Sequence, residues 1–182
     1  MTMHPSNHRG LKCVAALAAL ATGAVGATAL ATGPASAATP ASFDITGGAL
    51  SISTPTVGVS LGTQVASTSP LVISGPLGLV TITDGRGGVT SWIASVISTA
   101  FTPTSGPADP ASNVSYAAGP FTISGGATPT GTDASDLTGV TPVVSVTSTG
   151  ISSVSWNPTI SIAVPGSFAP GHYTATITHS VA

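Results

Sequence analysis

Val, Ile, Leu, Phe and Trp recur along this chain in alternation with Ser and Thr, and Gly, Pro or Asp interrupts them every eight to twelve residues. A period of two puts one set of side chains on each face of a pleated strand, so the pattern predicts many short, half-buried β-strands. The expected strands are Phe43–Thr46, Ala49–Ser53, Val57–Leu61, Leu71–Ser74, Gly78–Thr83 and Thr90–Ser98. Asn113–Gly119, Phe121–Ser124, Pro142–Ser148, Ser153–Val164 and His172–Ala182 complete the set. In the last of these, Tyr173, Ala175, Ile177 and His179 share one face, and Thr174, Thr176 and Thr178 take the other. Beyond the N-terminal apolar run there is no helical periodicity, and no fixed repeat points to a solenoid. The expected fold class is all-β: a two-layer antiparallel β-sandwich, immunoglobulin-like in general architecture. Thr102–Asn113 and Gly125–Gly139, rich in Gly, Pro, Ser and Thr, read as surface loops.

The N-terminus follows another logic. Arg9 and Lys12 precede an apolar run, Cys13–Ala31, and Ala35, Ser36 and Ala37 offer the small side chains a signal peptidase accepts. Residues 1–37 therefore read as a secretory signal peptide, cut after Ala37. The run is long enough to span a bilayer, but its apolarity comes largely from Ala, Gly and Thr, which hold a helix in lipid weakly. No stable membrane span is expected after cleavage. Residues 38–182 are then one domain, expected to be secreted and extracellular or wall-associated. No apolar tail or sorting motif follows, so covalent wall anchoring is not expected.

Charge narrows the partners. Arg86 is the sole basic residue of the expected mature chain, against Asp44, Asp84, Asp109, Asp133 and Asp136, a formal net charge of −4. Nucleic acid is excluded, because phosphate binding needs clustered Lys and Arg. With no Cys after residue 13, stability must come from a packed core. Little charge keeps copies apart, so self-association enters as a partner class.

Candidate chemistry is sparse. His172 and His179 are seven apart, so a regular strand points them to opposite faces and makes them poor joint metal ligands. No nucleophile, base and orienting group stand together in the pattern, and an enzyme is not expected; nor is a cofactor or a metal. Asp133 and Asp136 in "TGTDASDLTG" offer oxygens to calcium, though a solvated loop accounts for them as well. Asn113–Ser115 matches a glycosylation acceptor. Trp156 alternates with Val154 and reads as core, whereas Trp92 reads equally as core or as a flat platform for a sugar ring. Thr-rich strands raise ice binding, which needs a regular Thr array, and no sequence repeat builds one.

One stretch, "TITDGRGGVTSW" (Thr81–Trp92), concentrates what charge there is. It reads as a turn joining two strands, with Asp84 accepting backbone N–H bonds and Arg86 folding back on it. With "GHYTATITHSVA" (Gly171–Ala182), it resembles the WxL-type domain of secreted Gram-positive cell-surface proteins. That family carries an Asp-x-Arg-Gly-type turn, a Trp-x-Leu motif, and later a Gly-x-Tyr strand leading to a second Trp-x-Leu. Asp84, Arg86, Gly87, Trp92, Gly171, Tyr173, Ile177 and Thr178 fit. Ala94 stands in place of the first Leu, and His179, Ser180 and Val181 replace the second motif, making this a divergent member. The resemblance implies a β-sandwich attached non-covalently to peptidoglycan, with Trp92, Arg86 and Asp84 as candidate binding residues. The alternative is a self-associating structural subunit of the cell surface or extracellular matrix.

Overall fold

The computed structural model describes residues 36–182, so nearly all of the expected signal peptide lies outside the described residues. Residues 36–43, in the unit Met1–Phe43, carry no helix or strand. The unit Asp44–Ala182 is built of antiparallel strands with no α-helix. They are β1 (Leu50–Ser53), β2 (Leu71–Pro76), β3 (Val80–Asp84), β4 (Val89–Ser98), β5 (Thr102–Pro103) and β6 (Val114–Ala117). β7 (Phe121–Gly131), β8 (Thr141–Trp156), β9 (Thr159–Val164), β10 (Tyr173–Thr174) and β11 (Ile177–Val181) follow.

β8 organises the larger, six-stranded sheet. One edge of β8 carries β7; the other carries β3 beside Ser152–Trp156 and β4 beside Thr141–Thr149. β1 pairs with the free edge of β3, and β11 with that of β4. A three-stranded sheet, β2-β9-β6, packs against this one, and β5 pairs with β10 in a small ribbon. The apolar positions of the alternation form the core. Val80, Ile82, Trp92, Val144, Val154 and Trp156 from the larger sheet meet Val114, Tyr116, Ile160 and Ile162 from the smaller. Each such aliphatic side chain stabilises the fold by about 1.5–3 kcal/mol relative to exposure. The all-β, packed-sheet architecture is the one the alternation predicts.

Several boundaries differ, for local reasons. Val57–Leu61 forms no strand: Pro55 removes a ladder donor, Gly62 takes φ +95°, and Val57 stays 80% exposed while Leu61 reaches the core. Phe43–Thr46 is not a strand either, and Ile45 is exposed. The run Ser153–Val164 is broken at Asn157-Pro158, where the chain leaves the six-stranded sheet for the three-stranded one. The Pro158 carbonyl accepts from Leu77 N and the Asn157 side chain from Gly78 N, which fixes that corner. Gly125–Gly131, expected as loop, continues β7.

The stretch Asp84–Val89 is not a hairpin turn. β3 and β4 run in the same direction along one edge of β8, with Asp84 opposite Ser152 and Val89 opposite Thr149. It is a bulge within what is otherwise one long strand. The neighbouring strands deform beside it. β7 shifts register at Gly125–Ala127, and Gly88, Gly125 and Gly150 all take positive φ. The sheet therefore bends along one line crossing three adjacent strands.

Candidate functional site

Asp84, Arg86 and Trp92 come from this bulge and the strand after it, and the structure gives them different surroundings. Asp84 points inward and is fully buried. Its Oδ1 accepts from Arg86 N at 3.0 Å and Arg86 Nε at 2.9 Å, and its Oδ2 from Arg86 Nη2 at 2.9 Å and Thr90 Oγ1 at 2.7 Å. The bidentate guanidinium, with help from the Thr90 hydroxyl, outweighs burial and holds this carboxyl well below the usual carboxylate range. Arg86 also donates to the Ser91 carbonyl at 3.0 Å, so one side chain ties the start of the bulge to β4. Its side chain remains 37% exposed. Gly85 is clamped from the far side, donating to the Ala49 carbonyl and accepting from Gly48 N.

Trp92 lies in the core at 2% exposure. Of its two readings, the structure supports core packing: a sugar ring has no access to its face in this fold. Its Nε1 is buried with no protein partner. Trp156 lies in the same core and is satisfied, donating from Nε1 to Tyr116 Oη at 2.9 Å. Tyr116 in turn lies 3.1 Å from His179 Nε2. Burial pushes the Tyr116 phenol up to about 12 and pushes the His179 imidazole down. With both neutral, the phenol donates to His179 Nε2, and a polar chain crosses the core between the sheets.

The remaining candidates stand apart. Asp136 accepts from Thr138 N at 2.8 Å, which lowers its pKa and closes a local turn. Among the described residues, no three His, Cys, Asp or Glu side chains gather around one point. The Asn113 amide donates to the buried Asp109 at 2.6 Å. Asp109 Oδ2 has no protein partner, and burial raises that carboxyl. His172 is exposed on the approach to β10.

The feature that the sequence reading missed is the outer face of the six-stranded sheet. The positions that alternate with the core are mostly Ser or Thr, with Val89, Ile93 and Ile151 exposed among them, and the strand register aligns the hydroxyl positions across neighbours. Ser51, Thr83, Ser153 and Ser124 form one row over β1, β3, β8 and β7. Ser53, Thr81, Ser155 and Thr122 form the next. Beyond the bend, Ser91, Thr147 and Thr128 align over β4, β8 and β7, followed by Ile93, Ser145 and Thr130. No charged side chain interrupts these rows, and the last two border a shallow depression. The array arises without any sequence repeat, which removes the ground on which the sequence set ice binding aside. The signal was present as alternation, but aligning it needed the pairing of segments up to about a hundred residues apart.

No family model, curated protein or solved structure matches this chain. No helix among the described residues is long and apolar enough to cross a membrane.

Proposed function

We propose that this is a secreted, non-enzymatic protein of the Gram-positive cell surface that holds to wall peptidoglycan without a covalent bond. The observation that carries this reading is the broad, uncharged, hydroxyl-covered face of the larger sheet. Such a face suits a polymer that offers hydroxyl and amide groups over a long contact, where many weak hydrogen bonds sum without a deep pocket. The WxL-like residues support the same reading in a different role. Asp84 is buried and holds the bulge through Arg86, Trp92 is buried in the core, and the partly exposed Arg86 donates to Asp84 and the Ser91 carbonyl.

The direct test is sedimentation of the full chain, expressed in a secreting host, with insoluble peptidoglycan. Retention in the pellet at physiological salt is the expected result, and a protein left wholly in the supernatant removes the reading. A second reading, a self-associating surface subunit, draws on β7. Among the described residues this eleven-residue strand pairs only with β8 and is largely exposed, without a charged guard. Analytical ultracentrifugation separates the two: wall attachment expects a monomer, and the subunit reading expects assembly without wall material.

A further inference from the structure

The strands between β1 and β7 hold the most regular part of the outer face. There, two successive rows of four positions are hydroxyl side chains throughout, with neither a charge nor a large side chain among them. Within a row, positions on adjacent strands lie about 4.8 Å apart, and successive rows lie about 7 Å apart along each strand, so a row of four spans roughly 14 Å. One interstrand step is close to the length of one pyranose unit in an extended β-linked chain. A glycan laid across the strands therefore meets a hydroxyl at each sugar.

Resting on the wall-attachment reading, we propose that the neutral glycan backbone of peptidoglycan, not its peptide stems, occupies this face, running across β3, β8 and β7 along Thr83, Ser153 and Ser124. Charge selects the occupant. The stems and the anionic wall polymers carry formal charges that need counter-charges, and this face supplies none. Among the described residues, the one ion pair near it, Asp84 with Arg86, is closed on itself. The net charge of −4 after Ala37 disfavours anionic polymers further. Small hydroxyl side chains also leave the sheet low enough for both faces of successive sugars to approach the backbone ridge.

The experiment compares retention of the full, secreted chain on intact peptidoglycan and on glycan strands stripped of stems by an amidase and then amidated at the lactyl carboxylates that this cleavage exposes, which keeps the strands neutral. Three variants accompany it: Thr83→Glu with Ser124→Glu, Ser124→Ala alone, and Ser74→Glu on the outer face of the other sheet. Circular dichroism checks the fold of each. The inference expects wild type and Ser74→Glu to bind both materials alike. It expects the double variant to lose tenfold or more in affinity, and Ser124→Ala, which leaves the edge strand's pairing intact, to weaken measurably. Binding to intact peptidoglycan but not to stripped strands overturns the inference and leaves wall attachment standing. Unchanged binding by the folded double variant and by Ser124→Ala does the same. Binding to neither material overturns both. Thermal hysteresis by the wild type, lost in the double variant, reassigns the face to ice and overturns the glycan.

Discussion

Trp92 and Trp156 share one core and differ in a single hydrogen bond. Trp156 Nε1 donates to Tyr116, whereas Trp92 Nε1 is buried without a protein partner. Replacing either by Phe removes similar volume, but only at Trp156 does it remove a made bond. Trp156→Phe is therefore expected to cost about 1 kcal/mol more than Trp92→Phe, read as the difference in urea unfolding free energy. Trp92→Ala is expected to cost about 3–5 kcal/mol, because it opens a cavity. This means that loss of wall binding by that variant reports on stability before it reports on contact.

The ionisable residues give the same core a signature in pH. Asp84 has a depressed folded-state pKa, so its contribution is present above the unfolded value and is lost as pH falls below about 4. Asp84→Asn is expected to be less stable at neutral pH and to lose less on acidification, checked by urea midpoints across the acid range. Asp109, raised by burial, runs the other way and in a higher window: the cost of its buried charge is relieved as pH falls from its folded value to the unfolded value near 3.8, before the contribution of Asp84 is lost. Tyr116 has its folded value raised to about 12, so stability is held below the unfolded value of 10.0 and lost as pH rises from there through about 12. At about 1.4 kcal/mol per unit this amounts to roughly 2–3 kcal/mol, and Tyr116→Phe is expected to remove that alkaline limb.

At the scale of elements, the bend across β3–β4, β8 and β7 depends on backbone that only glycine supplies cheaply. At Gly125, φ is +79° and a Cβ would lie 2.3 Å from the Ile151 carbonyl oxygen. At Gly87, φ is +74° but the surrounding space is open. Gly125→Ala is expected to cost more than about 2 kcal/mol and Gly87→Ala about 1–2 kcal/mol, by denaturant unfolding. The strands were largely legible from alternation: β1, β2, β3, β4 and β6 lie where the pattern puts them, whereas β8 joins Pro142–Ser148 to the first part of Ser153–Val164, and β10 and β11 divide His172–Ala182. The bulge was not. "DGRGG" has the composition of a hairpin turn, and only the long partner β8, paired on the same edge to both flanking strands, shows that the chain continues in one direction. The corner at Asn157-Pro158 was hidden in the opposite way, because alternation continues unbroken through a change of sheet.

At the scale of the molecule, a chain with so little charge places many of its hydroxyls on one broad face and closes Arg86, the sole basic residue after Ala37, on an Asp. The sequence disclosed the absence of charge and the abundance of Ser and Thr. It did not disclose that Ser51, Thr83, Ser153 and Ser124 stand abreast, since that row joins four separate segments. Of the three candidate residues, Arg86 and Asp84 meet as the turn reading expects, while Trp92 serves the core. An uncharged contact also has a distinct response to ions. Attachment through clustered charges weakens steeply as salt rises, because screening shortens to about 3 Å at 1 M. Hydrogen bonds between hydroxyl rows and a neutral glycan have no such dependence. Retention on peptidoglycan is therefore expected to change less than about twofold between 0.05 M and 1 M NaCl, whereas a tenfold loss over that range would place the contact on Arg86 or another charged group. Repeating the titration with Arg86→Ala completes the argument. If the hydroxyl face carries the binding, this variant lowers stability but keeps a flat salt response in the fraction that remains folded.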